Sequence, residues 1–332
     1  MKKVLSLILA LAMVFALVAC GEKQPASDGD ASGDGDKPAR GNVIMTFGTA
    51  DTGGSMYPAG AAVSQVWTNN VQGVKCNTQT STGSFQNCQD VSTGEVDVAV
   101  ATSDVVLNAY NGTGKFADIG KLDNLRVIGA VYTSVLSGVA LKSSGLTYIH
   151  DLLGKRVAVG PAASATENAT LAAFAAMDIT KDNTSLENLG LADSVGDGIL
   201  DAAFGFAGLP IGGQLNLAAT KEIQVLDMTQ EEIDKVLAGN AAYIQTKIPA
   251  GTYTGQDNDA NTFGVKCLII VTADMDADLV YDLCKAMNEH TEEMAAGNAL
   301  LKDMTDPSFL CTQMPIPLHD GAQKYYSEQG LI

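Results

Sequence analysis

Five short polar segments hold the residues that could bind a ligand, and each of them follows a predicted strand. They are rich in Gly, Ala, Ser and Thr and lead into predicted helices: Gly48–Pro58, Thr80–Ser84, Thr102–Asp104, Gly160–Glu167 and Ala207–Pro210. Open α/β sheets bind ligands beyond the carboxyl ends of their strands, and a helix N-terminus offers unpaired N–H groups and a partial positive charge. The five segments therefore predict a cleft between two lobes that suits a small carboxylate or phosphate.

A purely structural role is the alternative for each segment. Ser164 and Glu167 fit the S-x-x-E capping box. Thr82, Ser84 and Ser103 are equally good N-cap residues. Capping leaves other N–H groups of the same helix free, so the two roles are compatible.

Charged residues limit how a ligand would be held in this cleft. The three arginines, Arg40, Arg126 and Arg156, lie outside all five segments. A ligand carboxylate would therefore lack a bidentate guanidinium and would depend on backbone amides and hydroxyl groups. Asp104 and Glu167 are candidates to accept a hydrogen bond from a ligand ammonium, with a role as first-turn helix acids as the alternative.

The chain that carries these segments alternates between strand and helix patterns. Strands are predicted at 43–47, 74–80, 96–101, 125–132, 138–141, 156–160, 202–206, 223–227 and 263–271. Helices are predicted after Pro58, at 83–91, 104–110, 149–153, 164–177, 210–220 and 230–238, and as a final helix around 279–287. The alternation predicts α/β lobes with mainly parallel sheets, and the length suffices for two lobes.

No motif in the sequence predicts catalysis, a cofactor or a metal site. The three histidines are far from the five segments, and the G-x-S-x-G, H-E-x-x-H and Walker A patterns are absent. Five cysteines follow Cys20 without any C-x-x-C spacing. Their apolar surroundings favour buried free thiols, while a disulfide between Cys76 and Cys88 stays open.

The first nineteen residues predict an export signal. Lys2 and Lys3 precede an apolar run at 4–18, which is shorter than the about 20 residues that span a bilayer. The run ends in LVACG, which resembles the lipobox of bacterial lipoproteins and implies lipidation of Cys20; an ordinary signal peptide is the alternative. Residues 21–42 lack large apolar side chains and predict a flexible linker.

The chain is strongly acidic, with a formal charge of -18, and its signal segment contains two lysines and no acid. This excess argues against binding to nucleic acid and against general adhesion to anionic membranes. It leaves the charge of a ligand site open, because net charge is not site charge.

Eight short motifs along the chain, taken together, carry a resemblance to a known family. They lie at 52–58, 80–84, 94–99, 109–114, 152–160, 207–210, 248–253 and 315–319 and read TGGSMYP, TSTGS, GEVDVA, AYNGTG, LLGKRVAVG, AGLP, IPAGTY and PIPLH. Together they resemble the TAXI family of TRAP transporter solute-binding proteins. The resemblance covers nearly all of residues 43–331.

The resemblance implies a two-lobed, type II periplasmic-binding-protein fold of the α/β class, with mixed, mainly parallel sheets and a hinge. The chain would cross between lobes near 132–137 and 250–265. The implied domains are a signal peptide at 1–19, the lipidated Cys20 with a linker at 20–42, a first lobe at 43–133 plus 264–332, and a second lobe at 134–263.

The implied function is capture of a small solute outside the cytoplasm without catalysis or a cofactor. A monomeric receptor, anchored to the outer face of the cytoplasmic membrane or in the periplasm, would deliver the solute to a TRAP-type permease. Family ligands are small amino acids or dicarboxylates such as glutamate and 2-oxoglutarate. The family's ligand loops map onto Thr52, Gly53, Tyr57, Thr82, Asp104, Ser164, Thr166 and Glu167, and the same loops add Gly54, Ser81 and Gly208 as candidates.

One departure from the family pattern bears on the ligand. Relatives often read Tyr-Pro-Glu where this chain has Tyr132, Thr133 and Ser134. If these positions line the cleft, the site is less charged than in the relatives. A receptor for an ABC importer or a ligand-sensing lipoprotein is the alternative among binding proteins, and an extracellular enzyme or a structural surface protein is the alternative outside that class.

Overall fold

The computed structural model describes residues 41–50, 52, 54–162, 164–189 and 193–332. The predicted signal segment, Cys20, nearly all of the predicted linker and Gly53 lie outside these residues. In the described ranges, no helix combines the length and the apolar character that crossing a membrane requires.

The first part of the described chain builds three parallel strands, each followed by a helix. In chain order these elements are β1 (Val43–Gly48), α1 (Met56–Asn70), β2 (Val74–Gln79), α2 (Ser84–Thr93), β3 (Val98–Thr102) and α3 (Ser103–Asn111). β1 pairs with β2 on one side and with β3 on the other. Because the strands are parallel, their carboxyl ends and the three following helix N-termini lie at the same edge of the sheet.

The second part contains two long strands and a further set of short strands and helices. Its elements are β4 (Leu125–Leu141), β5 (Arg156–Ala158), α4 (Ala165–Ala176), β6 (Ser185–Glu187), α5 (Asp193–Gly196), β7 (Ala202–Ala207), α6 (Gly212–Thr220), β8 (Ile223–Val225), α7 (Gln230–Gly239), β9 (Ile244–Ile248) and β10 (Ala260–Thr272). Short 3-10 helices occupy Gly114–Phe116, Lys142–Ser144 and Ile149–Leu152. β5 pairs in parallel with β6 and β7.

Four helices close the chain: α8 (Ala277–Glu289), α9 (Thr291–Gly297), α10 (Pro307–Cys311) and α11 (Asp320–Glu328), with a 3-10 helix at Ala299–Thr305. The prediction that the helix around 279–287 is the final one was therefore wrong. The later helices are short, and α10 and α11 begin at the side-chain caps Asp306 and His319. The indole of Trp67 on α1 donates to the carbonyl of Leu283 at 3.0 Å, which fixes α8 against the first part of the chain.

β4 and β10 join all the other strands into one mixed sheet. The strand order is β2-β1-β3-β10-β4-β7-β5-β6, with β8 paired to β4 and β9 paired to β10. β4 and β10 pair antiparallel with each other over 125–135 and 264–272. We call β1–β3 with α1–α3 and α8–α11 the first lobe, and β5–β9 with α4–α7 the second lobe.

Each lobe has buried apolar clusters on both faces of the sheet, because alternate strand residues point to opposite faces. On β10, Ile269 belongs to one first-lobe cluster while Leu268 and Ile270 belong to the other. On β4, Leu136 and Val139 belong to the two second-lobe clusters. The same two strands therefore run through the cores of both lobes.

The predicted two-lobed α/β fold with a mixed sheet is confirmed. The predicted strands 125–132 and 138–141 are one strand, and β9, which ends at Ile248, was not predicted. The predicted lobe boundaries at 133/134 and 263/264 fall inside β4 and β10, and they stay a prediction.

The close approach of the two long strands leads to a stability prediction. Gly264 pairs with Val135, and a methyl group on Gly264 would overlap the carbonyl oxygen of Ser134. We expect Gly264→Ala to lower the free energy of unfolding, measured in urea, by about 1–3 kcal/mol because of this overpacking. The control Gly212→Ala adds a methyl group with no atom within 4 Å and should change stability by less than about 0.5 kcal/mol. Equal effects of the two variants would contradict the packing argument.

Candidate functional site

A cavity of about 460 Å³ lies between the two lobes, and residues of both lobes and of β4 line it. The first lobe and its following turn contribute Ala50, Gly54, Ser55, Met56, Thr82, Gly83, Ser84, Phe85, Thr102, Asp104, Val105, Asn108, Gly114, Lys115 and Phe116. β4 contributes Tyr132 and Ser134, and the second lobe contributes Ser164, Ala165, Asn168, Phe206, Ala207, Asn240 and Tyr243. A cavity of this size suits a small organic molecule.

Four helix N-termini open onto this cavity, namely those of α1, α2, α3 and α4. The N-cap side chains of α1 and α3, Ser55 and Thr102, make no capping hydrogen bond, and the N-cap of α2 is Gly83. Only at α4, among these four, does the N-cap side chain accept a first-turn amide: Ser164 Oγ accepts from Glu167 at 3.1 Å. The uncapped termini give the cavity wall a positive potential that favours an anionic group.

A buried hydrogen-bond network fixes the loops that carry these termini. The side-chain amide of Asn87 on α2 donates to the carbonyls of Thr49 and Val100, both at 2.6 Å. The hydroxyl of Ser84 accepts from the amide of Thr102 at 3.0 Å. The network ties the carboxyl ends of β1 and β3 to the start of α2, so the first-lobe wall of the cavity is preformed.

Of the described residues, two with charged side chains line the cavity, Asp104 and Lys115. Asp104 lies in the first turn of α3 and is buried, whereas Lys115 is exposed. Burial raises the pKa of Asp104, against the lowering effect of hydrogen bonds from the Thr102 hydroxyl and from backbone amides. Burial, followed by the nearby charge of Asp104, raises the pKa of Tyr243 as well.

The remaining wall is largely apolar and aromatic. Phe85 and Phe116 stand against each other with ring centroids 4.5 Å apart. Tyr132 and Phe206 line the cavity from β4 and β7. Such a wall excludes water and strengthens the electrostatic interactions inside the cavity.

The lobes also make a direct contact beside the cavity. Ser103, the first residue of α3, is buried and donates its hydroxyl to the carbonyl of Ala242 at 3.2 Å. Ala242 lies between α7 and β9, next to the lining residue Tyr243. The loop after α7 is thereby held against the first lobe.

Four of the predicted site residues line the cavity: Gly54, Thr82, Asp104 and Ser164. Gly54 and Ser164 flank the N-termini of α1 and α4. Thr82 is exposed, and its amide and hydroxyl both donate to Gln86 Oε1, at 3.0 and 2.9 Å.

Three other first-lobe candidates lie beside the cavity rather than on its lining. Thr52 is exposed, and Tyr57 lines a separate surface groove with residues of α1 and α9. Ser81 Oγ donates to the carbonyl of Thr49 and accepts from the amide of Gly83, each at 2.9 Å. Ser81 therefore holds the turn that presents Thr82.

The remaining second-lobe candidates also act around the loops. Thr166 packs against Gly160, and Glu167 accepts from the side-chain amide of Asn188 at 2.6 Å. Gly208 is buried behind Tyr132, where a methyl group would overlap Leu300 of the first lobe. Ligand binding by any of the predicted residues stays a prediction, and Gly53 lies outside the described residues.

Successive side chains of β4 point to opposite faces of the sheet, which decides how Tyr132, Thr133 and Ser134 lie relative to the cavity. Tyr132 and Ser134 line the cavity, whereas Thr133 faces a groove on another side and donates to Asp303 at 2.9 Å. Ser134 therefore brings a small neutral hydroxyl to the cavity.

Sequence reasoning missed most of the side chains that line the cavity. Asn108 lies one helical turn after Asp104, and Asn168 one turn after Ser164, so the i, i+4 spacing could have found them. Asn240 and Tyr243 follow α7 in a stretch without a Gly-rich or hydroxyl-rich signal. Their place in the cavity depends on the packing of the lobes.

The thiols and metal-ligating side chains of the described residues form no reactive site. All five cysteines of the described residues are buried and free: Cys76, Cys88, Cys267, Cys284 and Cys311. The disulfide between Cys76 and Cys88, which the sequence left undecided, is therefore not formed. Burial raises the pKa of each of these thiols, to about 11 for Cys76 and Cys267. Within the described ranges, no three His, Cys, Asp or Glu side chains are grouped as a metal ion would require.

The buried carboxyl of Asp104 leads to a pH-dependent stability prediction. Its folded pKa is raised above the ordinary value of 3.8, so ionisation opposes folding once the pH rises above that value, and the penalty is full above the folded pKa. We expect Asp104→Asn to raise the free energy of unfolding of the ligand-free protein at pH 7 by about 1 kcal/mol. The gain should shrink as the pH falls towards 3.8, which urea unfolding at pH 7 and pH 4 would measure.

Asp320 provides the control, because it is an exposed acid in the first turn of α11. Asp320→Asn removes a favourable helix-dipole interaction and should lower stability by about 0.3–1 kcal/mol. A loss of stability in Asp104→Asn at pH 7 would contradict the assignment of an unfavourable buried charge.

Several solved structures of binding proteins are similar to this chain. The alkanesulfonate-binding protein SsuA of Xanthomonas axonopodis pv. citri is 14% identical, with 87% of this chain and 85% of that chain covered and a TM-score of 0.48. The probable amino-acid ABC transporter extracellular-binding protein YtmK of Bacillus subtilis is 15% identical, with 80% and 96% covered and a TM-score of 0.47. SsuA of Escherichia coli is 13% identical, with 86% and 82% covered and a TM-score of 0.45.

A comparison of the sequence with a family model identifies the family of this chain. A model described as the NMT1-like family matches residues 47–330, which include both lobes and every described residue of the cavity lining. Because this match extends over most of its length, the chain belongs to the NMT1-like family.

Proposed function

We propose that this protein is an extracytoplasmic solute-binding protein that captures a small organic acid or amino acid between its lobes and delivers it to a membrane transporter. The observation that carries the proposal is the interlobe cavity onto which the N-termini of α1, α2, α3 and α4 open. The proposal contains no catalytic step and no cofactor.

The electrostatics of the cavity support a ligand with a carboxylate. The described residues of the cavity lining include no arginine, so the uncapped amides of the helix N-termini are the main donors for an anion. Lys115 adds a positive charge at the exposed side. The hydroxyls of Ser55 and Ser134 add neutral polar groups around the same space, whereas the Thr82 hydroxyl already donates to Gln86.

The connection between the lobes supports capture by closure. β4 and β10 are the strands that run through both cores, and Tyr132 and Ser134 of β4 line the cavity. A bend of these two strands would move the second-lobe wall relative to the first-lobe wall, as in hinge closure around a ligand. Residues 133/134 and 263/264 are the proposed lobe boundaries.

Two classes of transporter are candidates for the partner. A TRAP-type permease follows from the TAXI-like motifs of the sequence, with glutamate or 2-oxoglutarate as the family's kind of ligand. An ABC importer is the second candidate, since names of similar structures mention ABC transporters, whereas neither the family description nor the structures named above mention a TRAP permease. The proposed anchor is a lipid on Cys20, which would keep a monomeric receptor near either partner.

The binding role predicts stabilisation by ligand and its loss when the cavity is filled. A bound solute at 100 times its dissociation constant should raise the free energy of unfolding by about 2.7 kcal/mol. Thermal-shift screening of amino acids and dicarboxylates measures this effect. Ala165→Trp places an indole at the cavity wall and should abolish the shift.

Ala277→Trp is the matched control, because Ala277 is also the first residue of a helix, α8, and is exposed away from the cavity. This variant should keep the ligand-induced shift of the wild-type protein. No shift with any amino acid or small acid, or an equal shift in Ala165→Trp, would contradict the proposal.

The transporter class predicts which energy source drives uptake. With a TRAP-type permease, uptake of labelled ligand by cells should stop when ionophores collapse the ion gradients while ATP is maintained. With an ABC importer, uptake should stop when ATP is depleted while the gradients are maintained. Uptake that depends on ATP alone would contradict a TRAP-type partner and would leave the solute-binding role intact.

A further inference from the structure

Among the side chains that line the interlobe cavity, one buried carboxylate has an oxygen without a hydrogen-bond partner in the described structure. Asp104 is 8% exposed and lines the cavity. Its Oδ1 atom is fully buried, and no hydrogen bond to it occurs among the described residues. A buried polar atom of this kind is costly unless something pairs with it, which points to a group supplied by the ligand.

No protein cation compensates this carboxylate in the described structure. The groups that favour its ionised form are the hydroxyl of Thr102 and the backbone amides of Val105 and Asp104. The negative charge of Asp104 contributes to a raised pKa in three nearby groups, which are neutral side chains: Tyr243, Cys88 and Cys267. A positively charged ligand group would therefore meet one uncompensated negative charge here.

The rest of the cavity favours a single site for such a group. In the described part of the lining, Asp104 is the one acidic side chain and Lys115, at the exposed side, the one basic side chain. Among the described lining residues, a buried acid close to uncapped helix N-termini matches a molecule with both an ammonium and a carboxylate. The aromatic side chains Phe85, Phe116 and Tyr243 add faces on which an ammonium or an apolar ligand body can pack.

We propose that Asp104 Oδ1 accepts a hydrogen bond from a protonated amine of the solute, so the ligand is an amino acid or another amine-bearing acid rather than a dicarboxylate or 2-oxo acid. This inference rests on the proposed solute-binding function and narrows its substrate class. Asp104 acts as a selectivity residue, while the helix N-termini receive the carboxylate. A 2-oxo acid would leave the Asp104 carboxylate unpaired and would place a carbonyl oxygen close to it.

Matched ligand pairs test the inference directly. Isothermal titration of the full protein would compare L-glutamate with 2-oxoglutarate, and L-phenylalanine with phenylpyruvate, at pH 7. The members of each pair differ at the amine and share the carboxylates and the side chain. We expect the better-bound pair to favour the amino acid at least tenfold, and we expect Asp104→Asn to reduce that preference to less than threefold.

Two variants separate selectivity from general damage to the fold. Asp320→Asn removes a first-turn acid of α11, far from the lining, and should keep the wild-type preference. Asp104→Asn should lower affinity for the amino acid far more than affinity for the 2-oxo acid, whereas damage to the cavity would lower both alike.

The outcomes distinguish this inference from the proposed function. A 2-oxo acid that binds as tightly as its amino acid, or an unchanged preference in Asp104→Asn, would overturn the role of Asp104 while leaving a solute-binding protein. Absence of binding by every amino acid and small acid would overturn the proposed function, and the inference with it.

Discussion

The antiparallel pairing of β4 with β10 is the constraint on which the positions of both lobes depend. β3 and β9 attach to β10, and β7 and β8 attach to β4. The paired strands are buried on both faces, and their pairing shifts register between Cys267 and Leu268 and again between Ile269 and Ile270. A movement of one lobe against the other would have to bend these two strands together. Tyr132 and Ser134 of β4 line the cavity, so the cavity lies beside the segment that would bend.

The cavity follows from chain direction as much as from particular side chains. Parallel strands end at one edge of the sheet, so the turns after β1, β2 and β3 bring three helix N-termini together. This regularity explains why the sequence predicted the loops and why Thr82, Asp104 and Ser164 line one cavity, while ligand binding by them stays a prediction. It also explains why Ser81 and Thr166 were placed only approximately, since small hydroxyl residues in such turns serve equally well to hold the backbone.

Other features depend on interactions that no local pattern contains. Ser134 and Ser137 interrupt the apolar run of β4, so the strand was predicted as two pieces. In the fold, Ser137 donates to Gln214 Oε1 at 2.6 Å, and Ser134 lies 3.3 Å from the Cys267 thiol. Buried hydroxyls with such partners are tolerated within a strand. Tyr243 likewise enters the cavity only because the loop after α7 packs on α3.

Two neighbouring residues connect recognition with lobe contact. Asp104 Oδ1 has no hydrogen-bond partner in the described part of the chain, whereas the adjacent Ser103 already donates to Ala242 of the second lobe. Both belong to the first turn of α3, which the buried Ser84–Thr102 hydrogen bond holds in place. A ligand cation at Asp104 would therefore act on the same helical turn that touches the opposite lobe. The free energy gained by neutralising that carboxylate is available only where the surrounding wall excludes water, so it should favour the closed arrangement over an open one.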